Sequence, residues 1–94
     1  MISYNKLLFN IDMLEAMIPI LNDAHKKTLP GPRIEQLEKL IQIDNFKEIE
    51  SYLIPNILPI ILKRLYDKPN VVELALKAGT NIISKVLCGI NHIF

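Results

Sequence analysis

The sequence predicts an all-α chain of four to five helices arranged as two tandem helical hairpins, a short α-solenoid, and three observations predict it. Apolar residues recur three and four positions apart over most of the length, the spacing that lines one face of a helix. Only three glycines occur in 94 residues, too few for the tight turns of a many-stranded fold. Finally, Ile18-Pro19-Ile20-Leu21 is echoed by Leu58-Pro59-Ile60-Ile61 at an offset of 40 residues. A period near 40 with two helices per unit falls in the range of helical-repeat arrays, whose hairpins bury their apolar faces by stacking.

From Tyr4 to Leu21 the inward positions are Leu7, Leu8, Ile11, Leu14, Met17, Ile18 and Leu21. Pro19 removes a backbone donor inside that pattern, so a kink, or a break into two helices, is expected there. Asn22 to Pro32 is polar and ends in Pro30-Gly31-Pro32, where a helix cannot continue. Helical spacing resumes over Arg33–Gln42 with Ile34, Leu37, Leu40 and Ile41 inward, Pro32 serving in the first turn and Asp44-Asn45 closing the helix. The next helix is expected from about Lys47 to Tyr66, bent or delayed by Pro55 and Pro59, with Ile49, Leu53, Ile57, Ile60, Ile61 and Leu65 inward. Asp67-Lys68-Pro69-Asn70 reads as a turn, after which Asn70 caps a final helix from Val71 to about Val86. Leu74, Ala75, Ala78, Ile82 and Ile83 form its stripe, and Gly89 marks its end. One domain over 1–94 results, with a first hairpin at about 4–43, a second at 47–86 and an apolar tail at 87–94. Val86, Leu87, Ile90, Ile93 and Phe94 suit that tail to folding back over the open end of the stack or to pairing with a second copy as a homodimer.

Half the residues are apolar while aromatics make up 6% with no Trp, so the core should be aliphatic. A net charge of +1 gives no overall field that would draw the chain onto nucleic acid or anionic lipid; binding of that kind needs a local patch. The lone Cys88 cannot form an internal disulfide and is expected as a buried or half-buried thiol in a reducing compartment, the cytoplasm. No secretory leader is read in Met1–Asn10. Leu53–Leu62, the most apolar stretch, is about half the length that a bilayer span requires.

The second hairpin carries a family resemblance. Ile49-Glu50-Ser51-Tyr52-Leu53-Ile54-Pro55-Asn56-Ile57-Leu58-Pro59-Ile60-Ile61-Leu62, followed by Asp67-Lys68, Val72, Ala75 and Ile82-Ile83-Ser84-Lys85-Val86, looks like a HEAT repeat. It resembles more closely the repeats in the N-terminal HEAT region of translation elongation factor three, the fungal-type ribosome-associated ATPase. Tyr52-Leu53-Ile54 with Leu58-Pro59 matches that family's first helix, and Ala75, Ala78 and Gly79 its small-residue second helix. The match is good over Ile49–Val86 and loose over Ile11–Ile43. Glu73 stands where HEAT repeats often carry Arg, which puts in doubt the usual Asp–Arg contact between hairpins. The ATP-binding cassettes are missing, since no Gly-x-x-x-x-Gly-Lys-(Ser/Thr) occurs. The resemblance implies a HEAT-like scaffold with a link to translation and without the ATPase activity.

Neither a nucleophile–base–orienter set nor a metal cluster is legible, so no catalytic residue, cofactor or metal is expected. His25 and His92 read as solvated, and the Cys88–His92 spacing lacks further ligands. Glu35, Glu38, Asp44, Glu48 and Glu50, mixed with Lys39 and Lys47, suit a solvated helix face with i, i+4 pairs. Lys26, Lys27 and Arg33 flank the first hairpin loop and Lys63, Arg64 and Lys68 the second; stacked hairpins bring both loops to one basic edge, a candidate contact for a protein or a ribonucleoprotein such as the ribosome. The expected function is a non-catalytic binding module or scaffold. The competing reading is a compact antiparallel four-helix bundle, like the small immunity proteins that protect a bacterium from its own antimicrobial peptide. The two differ in their helix crossings: a bundle packs its helices as one shared core, whereas repeats show a translated second hairpin with one open end.

Overall fold

The computed structural model of the chain describes residues 6–91, and they form an all-α fold. The elements are α1 (Ile11–Asn22), α2 (Gly31–Ile41), α3 (Phe46–Asn56), α4 (Leu58–Lys63), a 3-10 turn (Arg64–Tyr66) and α5 (Pro69–Asn91). Helix α1 starts later than the apolar spacing suggests. The Asn10 side chain accepts a hydrogen bond from the Met13 N–H and so caps the helix at Ile11. Residues ahead of the cap are extended: Leu7 exchanges backbone hydrogen bonds with Gln42 and Asp44, forming an isolated parallel bridge to Ile43. Extended backbone alternates its side chains, so Phe9 is buried and Leu8 is exposed rather than inward. Pro19 does not divide α1, which runs on to Asn22.

Pro32 occupies the first turn of α2, where a missing N–H costs nothing. The expected long helix over 47–66 is in fact interrupted at Ile57, between Pro55 and Pro59. Proline at 59 cannot donate to the carbonyl four residues back, so the ladder lapses there, although the Ile57 N–H still reaches Leu53 O and the Ile61 N–H reaches Ile57 O. Ile57 itself is fully buried, so the interruption faces the core. At the start of α5 Pro69 takes the first-turn position, and Val71 and Val72 both donate to Lys68 O; Asn70 lies inside the helix and is not its cap. Gly89 does not end this helix either. At 23 residues α5 is about 35 Å long, and Leu87 continues it instead of folding back; residues 92–94 of the expected tail lie outside the described residues.

One core joins all the helices: Leu14, Met17 and Leu21 from α1, Leu37 and Leu40 from α2, Phe46, Ile49 and Leu53 from α3, Ile60 and Ile61 from α4, and Val71, Ala75, Ala78 and Ile82 from α5. Small residues on α5 let α4 approach closely, and a Cβ at Gly79 would meet Ile61 Cγ2 at 3.6 Å. Ile83 and Ile11, expected inward, are partly exposed at the margins of their stripes. Helix adjacency has a definite pattern. α1 packs on α2, and α4 on α5; across the hairpins, α1 packs on α3 and α4, while α2 packs extensively on α5. First helices thus meet first helices and second helices meet second helices. The sequence neighbours α2 and α3 are not an extensive contact, although they would be adjacent in an up-and-down bundle.

Polar side chains finish the α2–α5 contact. Asn81 Nδ2 donates to Ile41 O at 3.3 Å, and Lys85 Nζ donates to Ile43 O at 3.0 Å, serving carbonyls at and just beyond the α2 C-terminus that have no partner within the helix. Asn45 does the same for the extended N-terminal segment: its Oδ1 accepts from Phe9 N at 2.8 Å and its Nδ2 donates to Phe9 O at 2.7 Å. No helix among the described residues is long and apolar enough to cross a membrane.

Candidate binding edge

The loop joining α1 to α2 and the turn joining the 3-10 segment to α5 meet at one edge of the molecule. Their junction is a buried ion pair. Arg33, near the start of α2, donates from Nε to Asp67 Oδ2 at 2.9 Å and from Nη2 to Asp67 Oδ1 at 3.0 Å. The two side chains are 1% and 5% exposed, and the paired geometry suits a guanidinium fork against a carboxylate. The third nitrogen, Arg33 Nη1, donates to Asp23 O at 2.6 Å, so the same side chain also ties down the end of α1.

Arg64 reinforces the junction from the 3-10 turn. Its Nη1 donates to Leu21 O at 2.6 Å, placing a cation at the negative end of α1. Its Nε is buried without a hydrogen-bond partner and lies 3.6 Å from Asp67 Oδ2. Lys68 reaches back from the second hairpin, donating from Nζ to Thr28 O at 2.9 Å. Burial pushes the Asp67 carboxyl upward in pKa, but the Arg33 hydrogen bond, the Lys68 backbone N–H and the charges of Arg33 and Arg64 outweigh it and hold the group below the ordinary carboxylate value.

These contacts divide the six expected edge cations into two sets. Arg33 is enclosed and cannot offer its charge to a partner, and Arg64, with a side chain 12% exposed, is nearly so. Lys26, Lys27 and Lys63 are exposed, and Lys68 is half-buried with its amine engaged. Length and spacing along the chain cannot separate these roles, because each depends on Asp67, which lies 34 positions from Arg33. Glu73 takes no part in the junction and pairs instead with Lys77 on the surface of α5. The α2 surface carries the expected Glu35–Lys39 pair at 3.6 Å.

The edge is nonetheless strongly polarised. Segments 23–33 and 63–68 hold six of the eleven Lys and Arg residues but only two of the ten acids. The edge is therefore four charges positive in a chain of net charge +1, and the rest of the chain is three charges negative. A cleft of about 250 Å³ opens here, lined by Ala24, His25, Lys26, Arg33, Tyr66, Asp67 and Lys68. Tyr66 is 94% exposed at its rim. In the sequence Tyr66 stands only as the end of a helix, and its one signal is that it falls next to the inward Leu65.

Elsewhere, Cys88 is exposed, not buried, because α5 continues through it with that face turned outward. Among the described residues no group of three or more His, Cys, Asp or Glu could hold a metal ion. No family model matches the chain, and no curated protein or solved structure matches it.

Proposed function

We propose that the chain is a non-catalytic binding module made of two stacked HEAT-like hairpins, and that it engages an anionic partner, a ribonucleoprotein or an acidic protein, through the edge formed by its hairpin loops. The observation that carries this reading is the buried Arg33–Asp67 pair. It runs from the second helix of the first hairpin to the inter-helix turn of the second, an Asp–Arg contact between hairpins of the kind that HEAT repeats use. By fixing the two loops together, it brings Lys26 and Lys68 to one cleft, and Lys27 and Lys63 are exposed on the segments that lead to it. Adjacency of first helix to first helix, and of second to second, supports stacked hairpins, while the single core shared by all the helices is what a compact bundle would also have. The link to translation rests on the resemblance of Ile49–Val86 to elongation factor three alone, and it makes the ribosome the first partner to test.

The charge-reversed variant Lys26→Glu/Lys27→Glu/Lys63→Glu changes exposed side chains that make no hydrogen bonds among the described residues, so its thermal unfolding should match the wild type. Sedimentation with ribosomes through a sucrose cushion should be lost in this variant and should weaken steeply with salt in the wild type. Equal sedimentation of variant and wild type would remove the edge as the binding surface.

A further inference from the structure

We infer that the cleft between the hairpin loops binds an unpaired nucleotide of a single-stranded nucleic acid, with Tyr66 as the stacking platform and Lys26 and Lys68 beside the flanking phosphates. The inference deepens the proposed function and rests on the loop edge being the binding surface.

Tyr66 carries the argument. A tyrosine that is 94% exposed leaves apolar ring surface in water that its neighbour Leu65, packed against the core, does not. Its position follows from the 3-10 turn, which points residue 65 inward and residue 66 out, while the Arg64 and Asp67 side chains on either side are locked into the junction. The backbone beneath the ring is thus fixed at both ends, and the ring stands on a rigid base. A tyrosine has only two side-chain torsions to fix when its ring is covered.

The cations around the ring decide what covers it. Lys26 is exposed on the facing loop, and Lys68, two positions after the ring, spends one ammonium N–H on Thr28 O and keeps two others. The lone carboxylate in the cleft, Asp67, is already neutralised by Arg33 and Arg64, so it does not repel an incoming anion. Alternation of an aromatic platform with cations is the arrangement that holds successive bases and phosphates of single strands. A duplex keeps its bases stacked internally and offers none to the ring. An acidic peptide would use the lysines and leave Tyr66 without a role. At about 250 Å³ the cleft is also smaller than the roughly 300–1,000 Å³ pockets that enclose small molecules.

Fluorescence anisotropy with a labelled 12-nucleotide oligo-U, its oligo-dT counterpart and a duplex of the same length tests this on the full chain at low salt. Both single strands should bind and the duplex should bind weakly. Tyr66→Ala should lower single-strand affinity about tenfold, whereas Tyr66→Phe, which keeps the ring, should stay within about twofold of wild type. Lys26→Ala should reduce the slope of log affinity against log salt by about 0.7, the share of one phosphate on a single strand. Circular dichroism should show Tyr66→Ala folded like the wild type, since the ring packs on nothing. Absence of oligonucleotide binding, or a Tyr66→Ala variant that binds as well as wild type, overturns the inference. If ribosome sedimentation remains sensitive to the triple lysine reversal while no oligonucleotide binds, the edge survives and its partner is an acidic protein.

Discussion

Replacing Asp67 by alanine leaves two guanidinium groups in the protein interior without their carboxylate. Arg33 is 1% exposed and cannot turn to water without breaking its bond to Asp23 O and opening the first residues of α2. Removing one member of a buried, hydrogen-bonded pair costs about 3–5 kcal/mol, because the surviving charge keeps its desolvation penalty and loses its partner. In a domain of this size the whole unfolding free energy is roughly 5–15 kcal/mol, and each kcal/mol moves Tm by about 4–8 °C. Asp67→Ala should therefore lower Tm by at least about 12 °C and shift the urea midpoint in proportion, both read by far-ultraviolet circular dichroism. Arg33→Met should behave similarly. The double variant Arg33→Met/Asp67→Ala removes both charges and should cost clearly less than the two single changes added together. A single-variant cost below about 1 kcal/mol, or simple additivity in the double variant, would refute the claim that this pair clamps the hairpins.

Three further outcomes follow from the same structure. Gly79→Ala should stabilise the chain by about 0.5–1 kcal/mol, since glycine inside a helix is costly and the new Cβ would meet Ile61 Cγ2 at an ordinary 3.6 Å; a lower urea midpoint would show that α4 and α5 have no room to spare. Asn45→Ala strands the Phe9 N–H and C=O and should cost about 1–3 kcal/mol, with faster amide exchange at Leu7 and Phe9, whereas unchanged exchange there would mean that the bridge to Ile43 suffices without Asn45. The Asp67 carboxyl titrates below its ordinary value. Its stabilising contribution is thus complete above the unfolded-state pKa of about 3.9 and is lost as pH falls from there through the lower folded-state value. Urea midpoints should drop below about pH 4 more steeply in wild type than in Asp67→Asn, and parallel curves would contradict the assignment.

Class and rough element order were legible in the residues because they depend on local rules: three-and-four apolar spacing gives helices, and Pro30-Gly31-Pro32 and Asp67-Lys68-Pro69 interrupt them. The core stripes of α1, α2 and α5 followed from the same spacing, with Leu14, Leu21, Leu37, Leu40, Ala75 and Ile82 all buried. Boundaries failed where a single polar side chain overrode the spacing, as when Asn10 delayed α1 to Ile11, or where apolar periodicity ran past a glycine, as at Gly89. The division of the basic residues was not legible at all. Arg33 and Lys26 look alike in sequence, both loop-flanking cations seven positions apart, yet one is sealed against Asp67 and the other is free. Which cation becomes structural and which stays available depends on a carboxylate from the turn ahead of α5, and only the packing of α2 against α5 brings that carboxylate within hydrogen-bond reach.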